Sequence, residues 1–549
     1  MPYSKPAELT KDAPARPARR LSTSELILYT LLLLGVAFRV FHFQDNRSLW
    51  LDEIYVALNV LSATFQELTA PLLEYQQKAP IGFLWMVKLS AILFGDREQA
   101  LRLVPLLSGI AALCFFVPVC RHWLRPAGQI VALGIMAAAP PLVYHAVEVK
   151  QYSMELLATV LCLWLFVRFN GKNDLRDRIL WGMAGAAILW FSYSSVFILT
   201  GIGAAVCLRL LYKQEWQNLW RTCLPFSIWF FSFALHYVLI TSKQNTEEWL
   251  LYWFRHYNSF MPLWSPDTPK WLIHHLYTML DYPLGLLWNF NNAENTILRI
   301  ILKMSFVPIA MLLTGIYAFF KTDKQTLLLM VLPFVLTLAA SALELYPFFE
   351  RLLVFLSPLA ILLIARGCDH AIANIPVLRK GKYILPFLLL LGGFSASTQE
   401  MIKPDVFGRY KKSYQKEALL YVNENFREGD VVYVYWNMNY AYRYYKKAYH
   451  LQYNAIEGND VKFESVSPSD YIRHLEPDLH KLNGNRRVWV VYNKKLWNDI
   501  GEIESKPDWY NHSQPGEFLY RAIRTRATEK AGKVFPEVNV YLFDFSSAP

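Results

Sequence analysis

Leu26-Ile-Leu-Tyr-Thr-Leu-Leu-Leu-Leu-Gly-Val-Ala-Phe-Arg-Val-Phe-His-Phe43, followed closely by Arg47-Ser-Leu-Trp-Leu-Asp-Glu-Ile-Tyr55, decides the class of this chain. An apolar run of about 18 residues is long enough to cross a lipid hydrocarbon core. The paired carboxylates Asp52 and Glu53 stand where such a helix should surface. Ionisable groups at a membrane face are costly to hold there and are candidates for function. The face on which the pair lies decides which substrates can reach it.

The rest of the 549 residues repeats the apolar theme. Hydrophobic residues make up 54% of the chain and charged residues 18%, against roughly 25% charged in a soluble protein. Further long apolar blocks cover 127–144, 154–169, 179–211, 300–320, 327–343, 352–365 and 384–394. A set of soluble domains is excluded; the chain reads as a polytopic α-helical membrane protein. Its formal charge of +11 fits basic cytoplasmic loops rather than a nucleic-acid surface. Lys5, Lys11, Arg16, Arg19 and Arg20 make a basic leader with no small-residue cleavage site after the apolar run. The six cysteines sit in or beside apolar segments and act as small core hydrophobes.

Topology turns on residues 79–95, a run of about 17 residues at the lower limit for a span and interrupted by Lys88. Reading it as a juxtamembrane helix puts Arg121 and Arg125, Arg168 and Lys172, Lys213 and Arg221, Lys321 and Lys324, and Arg379 and Lys380 all inside. The spans are then expected near 26–43, 103–120, 127–145, 152–169, 179–193, 195–211, 222–240, 297–320, 326–343, 352–366 and 383–398. About eleven helices follow, with a cytoplasmic basic N-terminus (1–25), a transmembrane domain (26–398) and an extracytoplasmic C-terminal domain (399–549). In the tail, a helical pattern over 413–426 precedes strand-like runs at 431–436, 487–492 and 538–544, which predict a small α/β domain.

The outer face then collects Asp52, Glu53, Tyr55 and Lys78; His145, Glu148, Lys150 and Tyr152; Arg255; and Arg351. A carboxylate can accept a proton from an attacking hydroxyl, and Arg or Lys can hold a phosphate. Each residue also has a plainer use. Asp52 and Glu53 suit the first turn of a helix, Lys78 can reach headgroups, and the outer aromatics suit a domain core.

Three stretches carry a family resemblance. Leu49-Trp-Leu-Asp-Glu53, Lys78-Ala-Pro80, Leu93-Phe-Gly95 and Ala100-Leu-Arg-Leu103 form one succession; Tyr144-His-Ala-Val-Glu-Val-Lys-Gln-Tyr152 and Tyr346-Pro-Phe-Phe-Glu-Arg351 are the others. Over about residues 25–370 the chain resembles the C-type (GT-C fold) glycosyltransferases of family 39. That family includes protein O-mannosyltransferases and resembles the bacterial aminoarabinose transferases of lipid A. The resemblance implies Asp52 as base toward an acceptor hydroxyl, with Glu53 as support or sugar contact and Glu148 as a second acid. It implies that Lys78 and Arg351 hold the phosphate of a polyprenyl-phosphate sugar. From the same outer face, Tyr55, His145, Lys150, Tyr152 and Arg255 are expected as further substrate contacts. The acidic residue that can bind metal in the aminoarabinose enzymes is replaced by Gln77, so no metal site or other cofactor is supported.

The expected function is transfer of a single sugar, with inversion, from the lipid-phosphate donor to a glycan, lipid or protein acceptor at the outer face of the cytoplasmic membrane. Nucleotide sugars are absent on that side, and the chain has no Gly-rich phosphate loop. A transporter or flippase, or an envelope-assembly protein for lipid-linked glycans, is the alternative. A transporter would show repeats and polar groups at the bilayer midplane.

Overall fold

The computed structural model describes residues 22–69, 77–172, 174–242, 248–288, 303–408 and 413–546. Nearly all of the basic leader, the first residues of the span expected at 297–320 and the last three residues of the tail lie outside them. Helix α1 (Thr23–Asp45) starts at Ser22, whose hydroxyl accepts from Glu25 N while the Glu25 carboxylate accepts from Ser22 N. This reciprocal cap satisfies donors that a helix start leaves open.

Two short helices follow, α2 (Leu51–Ser62) and α3 (Ile81–Phe94), before the long α4 (Glu98–Trp123). At 12 and 14 residues they reach roughly 18 and 21 Å, short of a bilayer core. Arg102, in the second turn of α4, donates to Arg47 O at 2.7 Å, just past the end of α1. The chain therefore leaves α1 and enters α4 at one face, which accords with a juxtamembrane 79–95.

The span expected at 127–145 is instead two helices, α5 (Pro126–Ala138) and α6 (Pro140–His145). Pro140 lacks the amide hydrogen that would continue the ladder. Arg39 of α1 takes over the carbonyls left open, donating to Met136 O at 2.9 Å, Ala137 O at 3.0 Å and Gly35 O at 2.8 Å. The two terminal nitrogens of a fully buried arginine in an apolar helix are thus held by backbone dipoles.

The remaining membrane helices are α7 (Tyr152–Phe169), α8 (Leu175–Phe191), α9 (Ser195–Tyr212) and α10 (Trp216–His236), which runs on through a wide turn to Thr241. After the outer helices α11 (Glu248–His256) and α12 (Thr268–Asp281) come α13 (Phe306–Thr322), α14 (Lys324–Ala342), α15 (Ser357–Asn374) and α16 (Ile384–Ile402). A helix lies over every expected span, and seven described helices are long and apolar enough to cross a membrane. The division expected near 192–195 is present: Ser195 N donates to Ser192 Oγ at 3.1 Å, capping α9 as α8 ends. Helices α13 and α15 cross through Gly315 and Gly367, where an added Cβ would collide with the partner backbone. Such small residues allow the close contacts on which packing in lipid depends.

The C-terminal domain begins with α17 (Gln415–Asn425) and holds a five-stranded sheet of order β2-β1-β3-β5-β4. β1 (Val431–Val434) pairs parallel with β2 (Ala455–Glu457) and β3 (Val488–Asn493); β5 (Val538–Asp544) pairs antiparallel with β3 and with β4 (Thr528–Val534). The three expected strands are β1, β3 and β5. β2 is three residues long and β4 is wholly exposed, so neither carries an apolar alternation.

Helix α18 (Asn439–Tyr449) rests this domain on α2 and the start of α4. Tyr445 OH accepts from Leu49 N at 2.8 Å, Tyr444 OH donates to Asp96 O at 3.0 Å, and Tyr449 OH donates to Glu98 at 2.7 Å. Tyr442, Tyr444, Tyr445 and Trp436 are buried and Tyr440 is half-buried, so these aromatics serve the domain core.

Candidate active site

The site is built where the end of α1, the first turn of α2, the loop 146–151 and the short turn Glu350–Leu356 ahead of α15 meet. It has a sealed layer and an open one. Glu53 centres the sealed layer. Its carboxylate accepts from Arg47 Nη1 at 2.8 Å, Arg102 Nε at 3.0 Å, Arg102 Nη2 at 2.9 Å and Val149 N at 2.9 Å. It also caps α2 by accepting from Trp50 N at 3.3 Å. Burial disfavours the charge, but Arg102 and Arg47 outweigh it and hold the Glu53 carboxyl below its ordinary range.

Of the two roles expected of Glu53, support or sugar contact, this layer is the geometry of support. Glu53 is fully buried and surrounded by donors, so it joins α2, α4 and the loop 146–151. Arg47 and Arg102, which hold it, were not among the expected site residues. Their signal was present: each is a cation at the end of an apolar helix.

The open layer faces outward from α2. Asp52 Oδ2 accepts from Arg351 Nη1 at 2.7 Å, and Lys150 Nζ lies 3.9 Å away. The Asp52 side chain keeps 23% of its surface open and that of Arg351 19%, whereas Glu53 keeps none. Burial pushes the Asp52 carboxyl up, but Arg351 and Lys150 together bring it below its ordinary value. Burial, helped by Arg351, lowers Lys150. The Arg351 guanidinium also lies over Trp50 at 5.4 Å and Tyr152 at 5.8 Å.

Trp50 joins the second acid to this layer. Its Nε1 donates to Glu148 Oε1 at 2.9 Å, and Glu148 Oε2 accepts from His145 Nδ1 at 2.6 Å. His145 Nε2 in turn meets the Tyr282 hydroxyl. Lys150 Nζ donates to Gln77 Oε1 at 2.6 Å, and half-buried Lys78 follows Gln77 in the chain.

The structure therefore brings together Asp52, Glu148, His145, Lys150, Tyr152 and Arg351, and Lys78 is the chain neighbour of Gln77, which Lys150 contacts. Four cations, Arg47, Arg102, Arg351 and Lys150, interleave with three carboxylates.

Of the two remaining expected substrate contacts, Arg255 lies elsewhere and Tyr55 lies one turn along α2 from Asp52. Arg255 makes a bidentate pair with Glu344 at 3.0 and 2.5 Å on the exposed outer surface. Tyr55 is buried against Tyr440 of the C-terminal domain, with ring centroids 5.1 Å apart. Trp50 and Tyr282 were missed because aromatic residues are abundant throughout the chain. As for metal, the Gln77 carbonyl already serves an ammonium, and the described residues contain no cluster of three His, Cys, Asp or Glu.

With this geometry established, comparison with known proteins defines the class. The sequence family described as dolichyl-phosphate-mannose-protein mannosyltransferase matches residues 78–241. ArnT from Cupriavidus metallidurans bound to undecaprenyl phosphate aligns over 94% of this chain and 97% of its own, at 12% identity and TM-score 0.52. The apo form of the same protein gives the same coverage and identity with TM-score 0.50. Comparison with curated protein sequences gives no match. The chain is a multi-pass membrane protein with the GT-C fold, similar to the family 39 glycosyltransferases.

Proposed function

We propose that this chain is an integral-membrane glycosyltransferase that moves one sugar from a polyprenyl-phosphate carrier to an acceptor hydroxyl, with inversion. The reaction takes place at the outer face of the cytoplasmic membrane, which is where the loop charges put the Asp52 side of the fold. The C-terminal domain stands on that same side. The observation that carries the reading is the open cluster of Asp52, Arg351 and Lys150, a carboxylate and two cations at one end of a helical bundle. A likeness of fold to a protein seen with undecaprenyl phosphate supports the same class of carrier here.

In this reading Arg351, Lys78 and Lys150 receive the phosphate. Asp52 takes the acceptor proton as the hydroxyl attacks the anomeric carbon and the carrier phosphate departs. A single displacement inverts the configuration, unlike the two-carboxylate retaining scheme. Arg351 has two uses, since the carboxylate it binds in the free protein and the donor phosphate compete for it. Donor binding draws Arg351 from Asp52 and raises the proton affinity of that carboxylate, so the base is ready when the donor is in place.

The reading is tested by titrating purified full-length protein in nanodiscs with undecaprenyl phosphate. Arg351→Ala is expected to weaken binding roughly 10- to 100-fold, the worth of a charge-assisted contact. Absence of binding by the wild-type protein contradicts the reading.

A further inference from the structure

The Glu148–His145–Tyr282 chain has no role in the displacement just described, yet its geometry is that of a proton path. Glu148 and His145 are sealed, with 0% and 1% of their side-chain surface open. Tyr282, the last member, is only partly buried. A carboxylate accepts hydrogen bonds and does not donate, so the 2.6 Å contact fixes a proton on His145 Nδ1. Nε2 then either carries a second proton, which it gives toward the Tyr282 oxygen, or accepts the phenol proton.

The phenol is held well above its ordinary range, first by burial and then by Glu148 and Glu350, so it stays protonated. Arg351 acts on the same phenol in the opposite sense, and its guanidinium lies over the Tyr152 ring, which packs against His145. Around His145 the other titratable groups are Tyr144, with ring centroid at 5.5 Å, and Tyr152 at 4.9 Å. The charged groups behind them are Arg47, over the Tyr144 ring at 4.8 Å, and Arg351, over Tyr152 at 5.8 Å.

We infer that Tyr282 is a further catalytic residue, a hydrogen-bond and proton donor to the departing phosphate, recharged by the His145 imidazolium that Glu148 holds. This rests on the glycosyltransferase reading and adds the leaving-group side to it. As the bond from the anomeric carbon to phosphate oxygen breaks, that oxygen gains negative charge and takes the Tyr282 proton. The proton on His145 Nε2 moves to the Tyr282 oxygen, leaving a neutral imidazole hydrogen-bonded to Glu148. Meanwhile the acceptor oxygen bonds to the anomeric carbon and its proton passes to Asp52. The two carboxylates thereby have separate duties, Asp52 toward the incoming group and Glu148, through His145, toward the outgoing one.

The probe is undecaprenyl phosphate, titrated into the full-length protein in nanodiscs between pH 5.5 and 9. Tyr282→Phe keeps the ring and is expected to bind about tenfold more weakly at pH 5.5. His145→Gln places an amide donor near Nε2 that cannot titrate. The Kd ratio of wild type to His145→Gln should rise from near unity at pH 5.5 to about ten at pH 9. The ratio cancels the titration of the phosphate itself, and a merely structural histidine leaves it flat. A flat ratio, or wild-type affinity in Tyr282→Phe, overturns the assignment. Binding that responds to Arg351→Ala but not to Tyr282→Phe overturns the proton chain alone. Absence of binding by wild-type protein overturns the chain together with the reading beneath it.

Discussion

Asp52 and Glu53 are neighbours in sequence and opposites in use. Glu53 lies beneath α2, shut from solvent and held by two arginines, whereas Asp52 stands on the open side with one arginine and one lysine. Successive residues of a helix point about 100° apart, so one turn of α2 supplies both a buried joint and an open carboxylate. A charge is kept in the sealed layer because its partners complete it, and in the open layer because a ligand can exchange with it.

The sharpest way to break this contrast is to neutralise each acid with its amide. Asp52→Asn should lower transfer from a polyprenyl-phosphate sugar by roughly 10³-fold, within the range for loss of a general base, while apparent unfolding in detergent falls only by the modest contribution of its ion pair with Arg351. Glu53→Gln should do the reverse. It leaves Arg47 and Arg102 buried without their countercharge, at a cost of about 3–5 kcal/mol, seen as a marked fall in unfolding temperature and in folded yield. Equal stability loss in both variants would erase the distinction between the layers.

A smaller effect concerns pH. The Asp52 carboxyl is held below its ordinary value of 3.8 in the folded protein. Its ion pair with Arg351 therefore stabilises the fold above the unfolded value and is lost as pH falls through the lower, folded one. The acid limb that Asp52 gives to kcat/KM should lie below 3.8, and Arg351→Gln should move it upward, read from a pH–rate profile. The smallest effect is expected of Trp50→Phe, which removes one hydrogen bond to Glu148, worth about 1.5–3 kcal/mol to a charged acceptor. A rate loss of roughly 10- to 100-fold without loss of fold would sharpen the link between the two acids.

Much of the architecture was legible because lipid allows few solutions: apolar periods give the helices, and charge asymmetry separates the loops. The juxtamembrane reading of 79–95 followed from those charges, and β1, β3 and β5 followed from their β-branched and aromatic runs. The break at Pro140 was written in the sequence, but the arginine that makes it tolerable lies 98 residues away from the Ala137 carbonyl it caps. The use of Glu53 was likewise hidden, since Arg102 reaches it across 49 residues and Val149 across 96. Arg351 was legible through its motif, whereas Tyr282 was one tyrosine among 32. What pattern reading loses is the side chain whose partner is remote in sequence and whose residue type is common.

The most direct measurement is the profile of lipid-linked sugars in cells lacking this chain, complemented with wild type or with Asp52→Asn. The account predicts that a polyprenyl-phosphate sugar accumulates without the chain, disappears with wild type and persists with Asp52→Asn expressed at the same level in the membrane. A wild-type profile restored by Asp52→Asn would contradict it.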